Sequence, residues 1–331
     1  MKTEKEFIEI IKEKNILFIA TKNSDYIRIS QEKKLLEKYA ASYRMIAYPD
    51  SGYLKRICKV YVALFKEKAK KYDMILVGFM GQMILPFWSW KFRKKPVVLD
   101  FFISIFDTLV DDRKKLKQGS IAAKLVKMID RMTIKKAGYI IADTNAHADY
   151  FSKEFGIDRN RFYTVYLEAN TGIYYPQKIE RPEEWKDQYL VVYFGSILPV
   201  QGVEVILKTI YKLRNEKKIH FIMIGPIQKK YKRPETENVT YFDWLSQQEL
   251  AHYVNMSDLC LAGHFSAKIG KANRTIPGKT YIYQALQKPI ILGDSDANRE
   301  LFQEGNDIFY VKRGDAEALK NKILEIYKER K

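Results

Sequence analysis

The stretch "YLVVYFGSILPVQGVEVILKTI" (189–210) decides the fold. Tyr189 to Phe194 run apolar without interruption and stop at Gly195. So short and continuous a run suits a strand covered on both faces, as in a parallel sheet. Beyond Gly202, the positions Val203, Ile206, Leu207, Ile210 and Leu213 follow helical spacing. The stretch therefore reads strand, turn, helix. Its two glycines let backbone approach a phosphate beside a helix N-terminus, where negative charge is favoured. The same glycines also suit a purely structural turn.

The pattern recurs. Apolar runs of this kind stand at 16–20, 44–49, 74–79, 96–102, 138–144 and 162–167, and again at 220–225, 258–265, 289–294 and 308–311. Strand and helix in such alternation predict an α/β chain with parallel, doubly wound sheets. Its 331 residues exceed one ordinary core and suit two domains. The break falls in "YYPQKIERPEEWKDQ" (174–188), which has two prolines, several charges and no apolar period. The division expected is a first domain at 1–172, a linker at 173–188, a second domain at 189–314 and a closing helix at 315–331. Asp315 stands near that helix's start and Lys/Arg at its end, matching the helix dipole. Two doubly wound domains would face each other across a cleft, with ligands beyond the strands' carboxyl ends. That rule selects 21–25, 78–81, 100–107, Asp143 and Thr144, Gly195 and Ser196, Gly225, 263–265 and 293–296.

Composition narrows the partners. Apolar residues make up 47% and charged residues 30%, the profile of a globular protein. No run approaches a spanning helix, and the opening "MKTEKEFIEIIKEKN" lacks a signal-peptide apolar region, so a cytoplasmic location is expected. Cys58 and Cys260 stand far apart with no Cys/His cluster near them, which argues against a disulfide framework and against a structural metal. Net charge is +18. Residues 1–170 hold 33 Lys+Arg against 20 Asp+Glu, and the rest hold 25 against 20. The excess in the first half suits an anionic partner or a solvated lysine-rich surface.

Four places could carry chemistry. Gly195 and Ser196 lie at the first strand end of the second half, and Gly225 at the next. "GHFSAKIGKANRTIPGK" (263–279) gathers His264, Phe265, Lys268, Lys271, Arg274 and Lys279 at one loop-to-helix junction. Arginine forks onto phosphate oxygens and lysine acts as a point charge, so this junction suits an anion. "PVVLDFFISIFDTLVDDR" (96–113) sets Asp100 at a strand end and Asp107, Asp111 and Asp112 near the next helix, to orient hydroxyls, act as a base or cap a helix. "LPFWSWKFRKKP" (85–96) mixes aromatics with cations, which suits an anionic membrane interface, stacking on single-stranded nucleic acid or a half-buried helix. Of four histidines only His264 stands at a selected position, and neither a Gly-Lys-Ser/Thr phosphate loop nor a nucleophile elbow is present.

Taken together, these segments resemble family 4 glycosyltransferases of the GT-B fold, most strongly over 189–320. "FGSILPVQGVEVILKTIYKL" resembles the family's strand, Gly-x-x-x-Pro-x-x-Gly turn and helix. The segment from Gly263 through "KPIILGDSDANRELFQEGN" to "GDAEAL" resembles its donor site. "EANTGIYYP" resembles the segment that enters the family's interdomain linker, and "DFFISIFDT" and "IIADTNAHADYF" are similar to amino-domain elements of a bacterial branch. The resemblance implies two Rossmann-like domains, retention of anomeric configuration, no metal or other cofactor, and a UDP- or GDP-sugar donor. It implies Gly195, Ser196, Gly225, His264, Phe265 and Glu300 at the donor, and Asp100, Asp107, Asp143 and Thr144 on the acceptor side. The acceptor would be a glycan or lipid-linked glycan at the inner face of the membrane, with nucleic acid excluded. The chain also departs from the family. The first-turn Arg and Lys that bind diphosphate align with Ser196 and Gln201. The two glutamates spaced eight apart align with Arg274 and Ile282. Arg274 and Lys279, with Asp100, are then the expected catalytic groups. The departures also motivate a rival, a non-catalytic GT-B-like subunit that binds a glycan or a partner.

Overall fold

The computed structural model describes residues 1–49, 52–227 and 231–330. It divides into two compact units, Met1–Glu168 and Ala169–Lys331.

In the first unit the elements are β1 (Lys2–Thr3), α1 (Glu4–Ile11), β2 (Asn15–Ile19), α2 (Ile27–Tyr39), β3 (Ser42–Ile46), α3 (Tyr53–Lys66) and β4 (Met74–Val77). Then come α4 (Leu85–Trp88), β5 (Val97–Asp100), α5 (Ile121–Lys135), β6 (Tyr139–Ala142), α6 (Asn145–Phe155) and β7 (Phe162–Thr164). Seven strands pair in parallel in the order β1-β7-β6-β5-β4-β2-β3. Alternate residues of one strand serve opposite faces, so Leu17 and Ile19 join Val60, Leu64, Ile134 and Phe151 on one side. Ile16, Phe18 and Ala20 join Phe7, Ile11, Ile29 and Leu36 on the other. One face is therefore covered by α3, α5 and α6, and the other by α1 and α2.

The second unit continues with β8 (Tyr189–Phe194), α7 (Val203–Lys212), β9 (Ile219–Ile224), β10 (Val239–Phe242), α8 (Gln247–Met256) and β11 (Leu259–Leu261). It closes with α9 (Lys271–Arg274), α10 (Gly278–Ala285), β12 (Ile290–Gly293), α11 (Asp296–Leu301), β13 (Ile308–Val311) and α12 (Ala316–Glu329). Its six strands are all parallel, in the order β10-β9-β8-β11-β12-β13. The Asp315 carboxylate accepts from the Glu317 and Ala318 amides and caps α12.

All eleven apolar runs became strands, and the doubly wound α/β expectation holds. Two strands carry no such run. β1 is two residues long, and β10 is half-buried along its length at the sheet edge. The segment 174–188 is irregular but anchored to the second unit. Trp185 and Tyr174 are buried, and Arg181 donates to the Met256 carbonyl and pairs with Asp258 at 2.6 Å. Among the described residues no helix is long and apolar enough to cross a membrane.

Candidate functional site

In the second sheet the chain leaves β8 toward β9 and β10, then returns to β8's other side with β11, β12 and β13. The direction of winding reverses between β8 and β11, and a crevice opens beyond the carboxyl ends of strands at such a point. Gly195 ends β8 and Gly263 lies just past β11, both with positive φ (138° and 85°) that favours glycine. A Cβ on Gly263 would stand 2.5 Å from Gln201 Oε1 and 3.0 Å from Lys279 Nζ, and one on Gly195 would stand 3.3 Å from the same Nζ. The missing side chains are thus the room that Lys279 occupies. Gly225, just past β9, packs directly on the Gly195 carbonyl, 2.2 Å from where its Cβ would be.

Lys279 enters from the first turn of α10, whose chain Pro277 starts. Its ammonium donates to Gln201 Oε1 at 2.5 Å and lies 4.7 Å from the centre of the Tyr193 ring. The side chain is 6% exposed. Burial alone pulls its pKa down to about 7, and no carboxylate among the described residues offsets the shift. A buried cation supported by one amide oxygen and one aromatic face is poised to take an anion.

The surrounding loop is pinned. The Phe265 amide donates to the Gln201 carbonyl at 3.1 Å, and the Phe265 carbonyl accepts from Gly314 at 2.7 Å. His264, at φ 58°, meets the Thr275 carbonyl through Nδ1 at 2.9 Å. Asn273 bonds Asp296 at 2.6 Å and accepts from Arg313 at 3.0 Å, tying α9 to α11.

Of the expected donor-side groups, the structure gathers Gly195, Gly225 and Lys279 at one point, with Gln201 as the direct partner. Ser196 is exposed beside them. Arg274 is half-buried on α9, its guanidinium over Gly270. Glu300 is half-buried on α11, Lys271 is half-buried and Lys268 is exposed. Phe265 is corrected in role, because its ring is fully buried in the core and only its backbone borders the site. His264 holds the loop by a backbone contact. A wide cavity of about 1230 Å³ lies elsewhere in this unit, lined by Lys208, Tyr211, Lys212 and Arg233. It is bordered by long exposed side chains rather than strand ends.

The acceptor-side expectations change more. Asp100 is 2% exposed, and both its oxygens are taken by Arg28, at 2.9 and 3.3 Å. Arg28 also donates to the Val165 carbonyl at 2.7 Å. This pair ties α2 to β5 and the end of β7, so Asp100 is not an accessible acid. Glu32 is buried beside it, its pKa raised by burial and then by the negative charge of Asp100. Asp143 meets His147 Nδ1 at 2.6 Å, and the Thr144 hydroxyl accepts from the His147 amide at 3.0 Å as the cap of α6. Both are interior structural groups. Asp107 is buried in the turn after β5, its amide bonded to Ser104 Oγ at 3.0 Å. That turn is organised by Asp130 of α5, which accepts from Ser104, Ile105, Phe106 and Gln82 at 2.7 to 3.1 Å. Asp130 gave no signal in the sequence, since one aspartate in an otherwise apolar and basic helix reads as a surface charge.

Residues 188–329 match the family Glycosyl transferases group 1. Over 308 residues the chain is 24% identical to a Klebsiella pneumoniae protein described as "Uncharacterized 41.2 kDa protein in cps region", covering 90% of this chain and 80% of that one. Among solved structures it resembles HepE from Anabaena in complex with UDP, with a TM-score of 0.65 and 13% identity over 96% of this chain and 91% of that one. It also resembles the same protein with UDP-glucose (TM-score 0.63, 15% identity, 96% and 90% covered). A third is sucrose-phosphate synthase from Thermosynechococcus elongatus (TM-score 0.63, 12% identity, 95% and 90% covered). At these identities the likeness shows the fold, which is GT-B. The family match lies within the second unit.

Proposed function

We propose that the chain moves a sugar from a UDP- or GDP-linked donor to a hydroxyl of a glycan or lipid-linked glycan, in the making of bacterial surface polysaccharide or glycoconjugate. The carrying observation is Lys279, a buried cation held between Gly195 and Gly263 at the switch point of the second sheet. The family match over that unit, a relative named for a cps region and a fold neighbour holding UDP-glucose support the reading. Family likeness supplies retention of configuration.

In the reaction the bond from the anomeric carbon to the diphosphate breaks, and its electron pair leaves with the nucleoside diphosphate. The acceptor oxygen forms the new bond and gives up its proton. Lys279, with Arg274 as second cation, stabilises charge growing on the departing phosphate, and the fixed loop spares reorganisation. Gln201 stands where the family has a lysine, and the Lys279 ammonium reaches it from the first turn of α10. The positive charge is thus relocated, not lost. Family likeness assigns no metal to the reaction.

Transfer and donor hydrolysis are measured with a panel of UDP- and GDP-sugars in EDTA. Lys279→Met should lower turnover by about 10²–10³-fold, the scale of losing one fixed donor to a developing charge. It should also abolish the rise in melting temperature given by the nucleoside diphosphate. Unchanged turnover would remove Lys279 from the site. Ser196, Gln201 and Ile282 favour the rival, a binding subunit without catalysis, which predicts diphosphate binding with no turnover of any donor.

A further inference from the structure

The helix α5 is buried on one side and carries an apolar stripe on the other. Ala123, Thr133 and Ile134 turn inward. The outward side carries Ile121, Leu125, Met128 and Met132, which are 87, 51, 51 and 44% exposed. Their spacing places them in one stripe along the helix. Lys124, Arg131 and Lys135 stand exposed along its edge.

The neighbouring elements continue the surface. α3 shows Leu54 and Phe65, 78 and 77% exposed, and the turn through α4 shows Phe87 and Trp90, 59 and 66% exposed. Lys91 joins these two: its ammonium donates to the Leu64 and Phe65 carbonyls and lies over the Phe65 and Trp88 rings. α4 in turn packs on α5. All of this belongs to the layer over one face of the first sheet. Among the described residues of this unit, every large exposed apolar side chain apart from Met1 lies there. Arg93 and Lys94 add exposed cations.

We propose that this face docks the first unit onto an anionic lipid bilayer. Apolar side chains in a helical stripe, aromatics beside them and cations at the rim match the depth profile of a charged bilayer surface. The unit carries the larger charge, with 33 Lys+Arg against 20 Asp+Glu up to residue 170. A second copy is the poorer occupant, because a self-complementary contact would press two lysine rims together. The proposal goes beyond the sugar-transfer reading and does not depend on it.

The test uses the full chain and two kinds of vesicle, phosphatidylcholine alone and equal parts of phosphatidylcholine and phosphatidylglycerol. Co-sedimentation should be strong on the mixed vesicles and at least about tenfold weaker on neutral ones or at high salt. Replacing Ile121, Leu125, Met128 and Met132 together by Gln should cost at least about tenfold in partitioning. The same variant should keep its melting temperature and its thermal response to UDP, which separates docking from the donor site. Brominated phospholipid should quench the tryptophan emission, and Trp90→Phe should remove most of that quenching although Trp88, Trp185 and Trp244 remain. Equal binding to neutral vesicles, wild-type binding by the four-fold variant or quenching that Trp90→Phe leaves unchanged overturns the proposal. So does a lipid-free dimer that the variant dissociates.

Discussion

At the carboxyl ends of β8 and β11 the chain places Gly195, Gly263 and one buried lysine. At the equivalent reversal of the first sheet, between β2 and β4, it places Thr21, Gly78 and the charges of α2. There the Thr21 hydroxyl bonds the Phe79 carbonyl at 2.7 Å, Tyr26 meets the Phe79 ring edge-on, and a Cβ on Gly78 would strike Glu32, Ile29 and Phe18 at 2.9 to 3.1 Å. The nearby cation Arg28 has its carboxylate. The two sheets are wound alike, yet one crevice is filled by its own side chains and the other keeps a charge for something else. A buried charge matched within the chain contributes to folding, whereas one left to a single amide oxygen is available to a ligand.

The comparison breaks most readily at the Arg28–Asp100 pair. Burial works against the Arg28 charge, and Asp100 more than offsets it, raising its pKa. Asp100→Ala leaves that guanidinium only the Val165 carbonyl and the neighbouring Glu32, and the expected cost is up to about 3–5 kcal/mol of stability. Chemical denaturation reads it directly. Nucleoside diphosphate affinity, measured on the fraction still folded, should not move. A drop in affinity with stability intact would return Asp100 to the reaction.

A smaller effect sharpens the other side. With its pKa drawn down to about 7, Lys279 is partly neutral at neutral pH, and an anion must find or make it charged. Binding of the diphosphate should therefore take up a proton, and affinity should fall by up to about tenfold between pH 7 and pH 8. The sign for stability is opposite. A lysine whose folded pKa lies below its ordinary value costs the folded state most below about 7, and the cost fades as pH rises toward the unfolded value. Titration calorimetry in buffers of different ionisation enthalpy gives the proton count, and Lys279→Met should erase it. No net proton uptake at pH 8 would mean that the lysine is already charged in the free chain.

What was legible in the sequence follows the same division. Most of the strands are buried on both faces and announce themselves as unbroken apolar runs, while the edge strands β3 and β13 carry runs although they are only partly buried. The edge strand β10, which has no fully buried residue, carried none. That Gly195, Gly263 and Lys279 come together was legible because glycines at strand ends and a lysine after a proline are local signals. Asp100 was placed correctly at a strand end but misread in role, since its partner lies 72 residues away and no local pattern links them. Asp130 was missed for the same reason, as its ligands come from a turn about 25 residues earlier in sequence. The irregular segment 174–188 looked like a free linker because it has no period, yet Trp185 and Arg181 fasten it.

Glu32 offers the finest discrimination within the first unit. Two acids, Asp100 and Glu32, surround one guanidinium, and only Asp100 has its oxygens on Arg28. The pair can neutralise one negative charge, so the second acid gains by keeping its proton, in line with the raised pKa of Glu32. A carboxyl whose folded pKa is raised stabilises at low pH, and that stability is lost as pH climbs through the folded value. Glu32→Gln mimics the protonated acid at every pH. At pH 5 it should melt with the unaltered chain. At pH 9 it should be more stable by about 1 kcal/mol, a rise of roughly 2–4 °C in the melting temperature of a unit the size of Met1–Glu168. If the substituted chain were instead less stable at pH 9, Glu32 would be the ionised partner of Arg28, and the first crevice would hold a spare negative charge as the second holds a spare positive one.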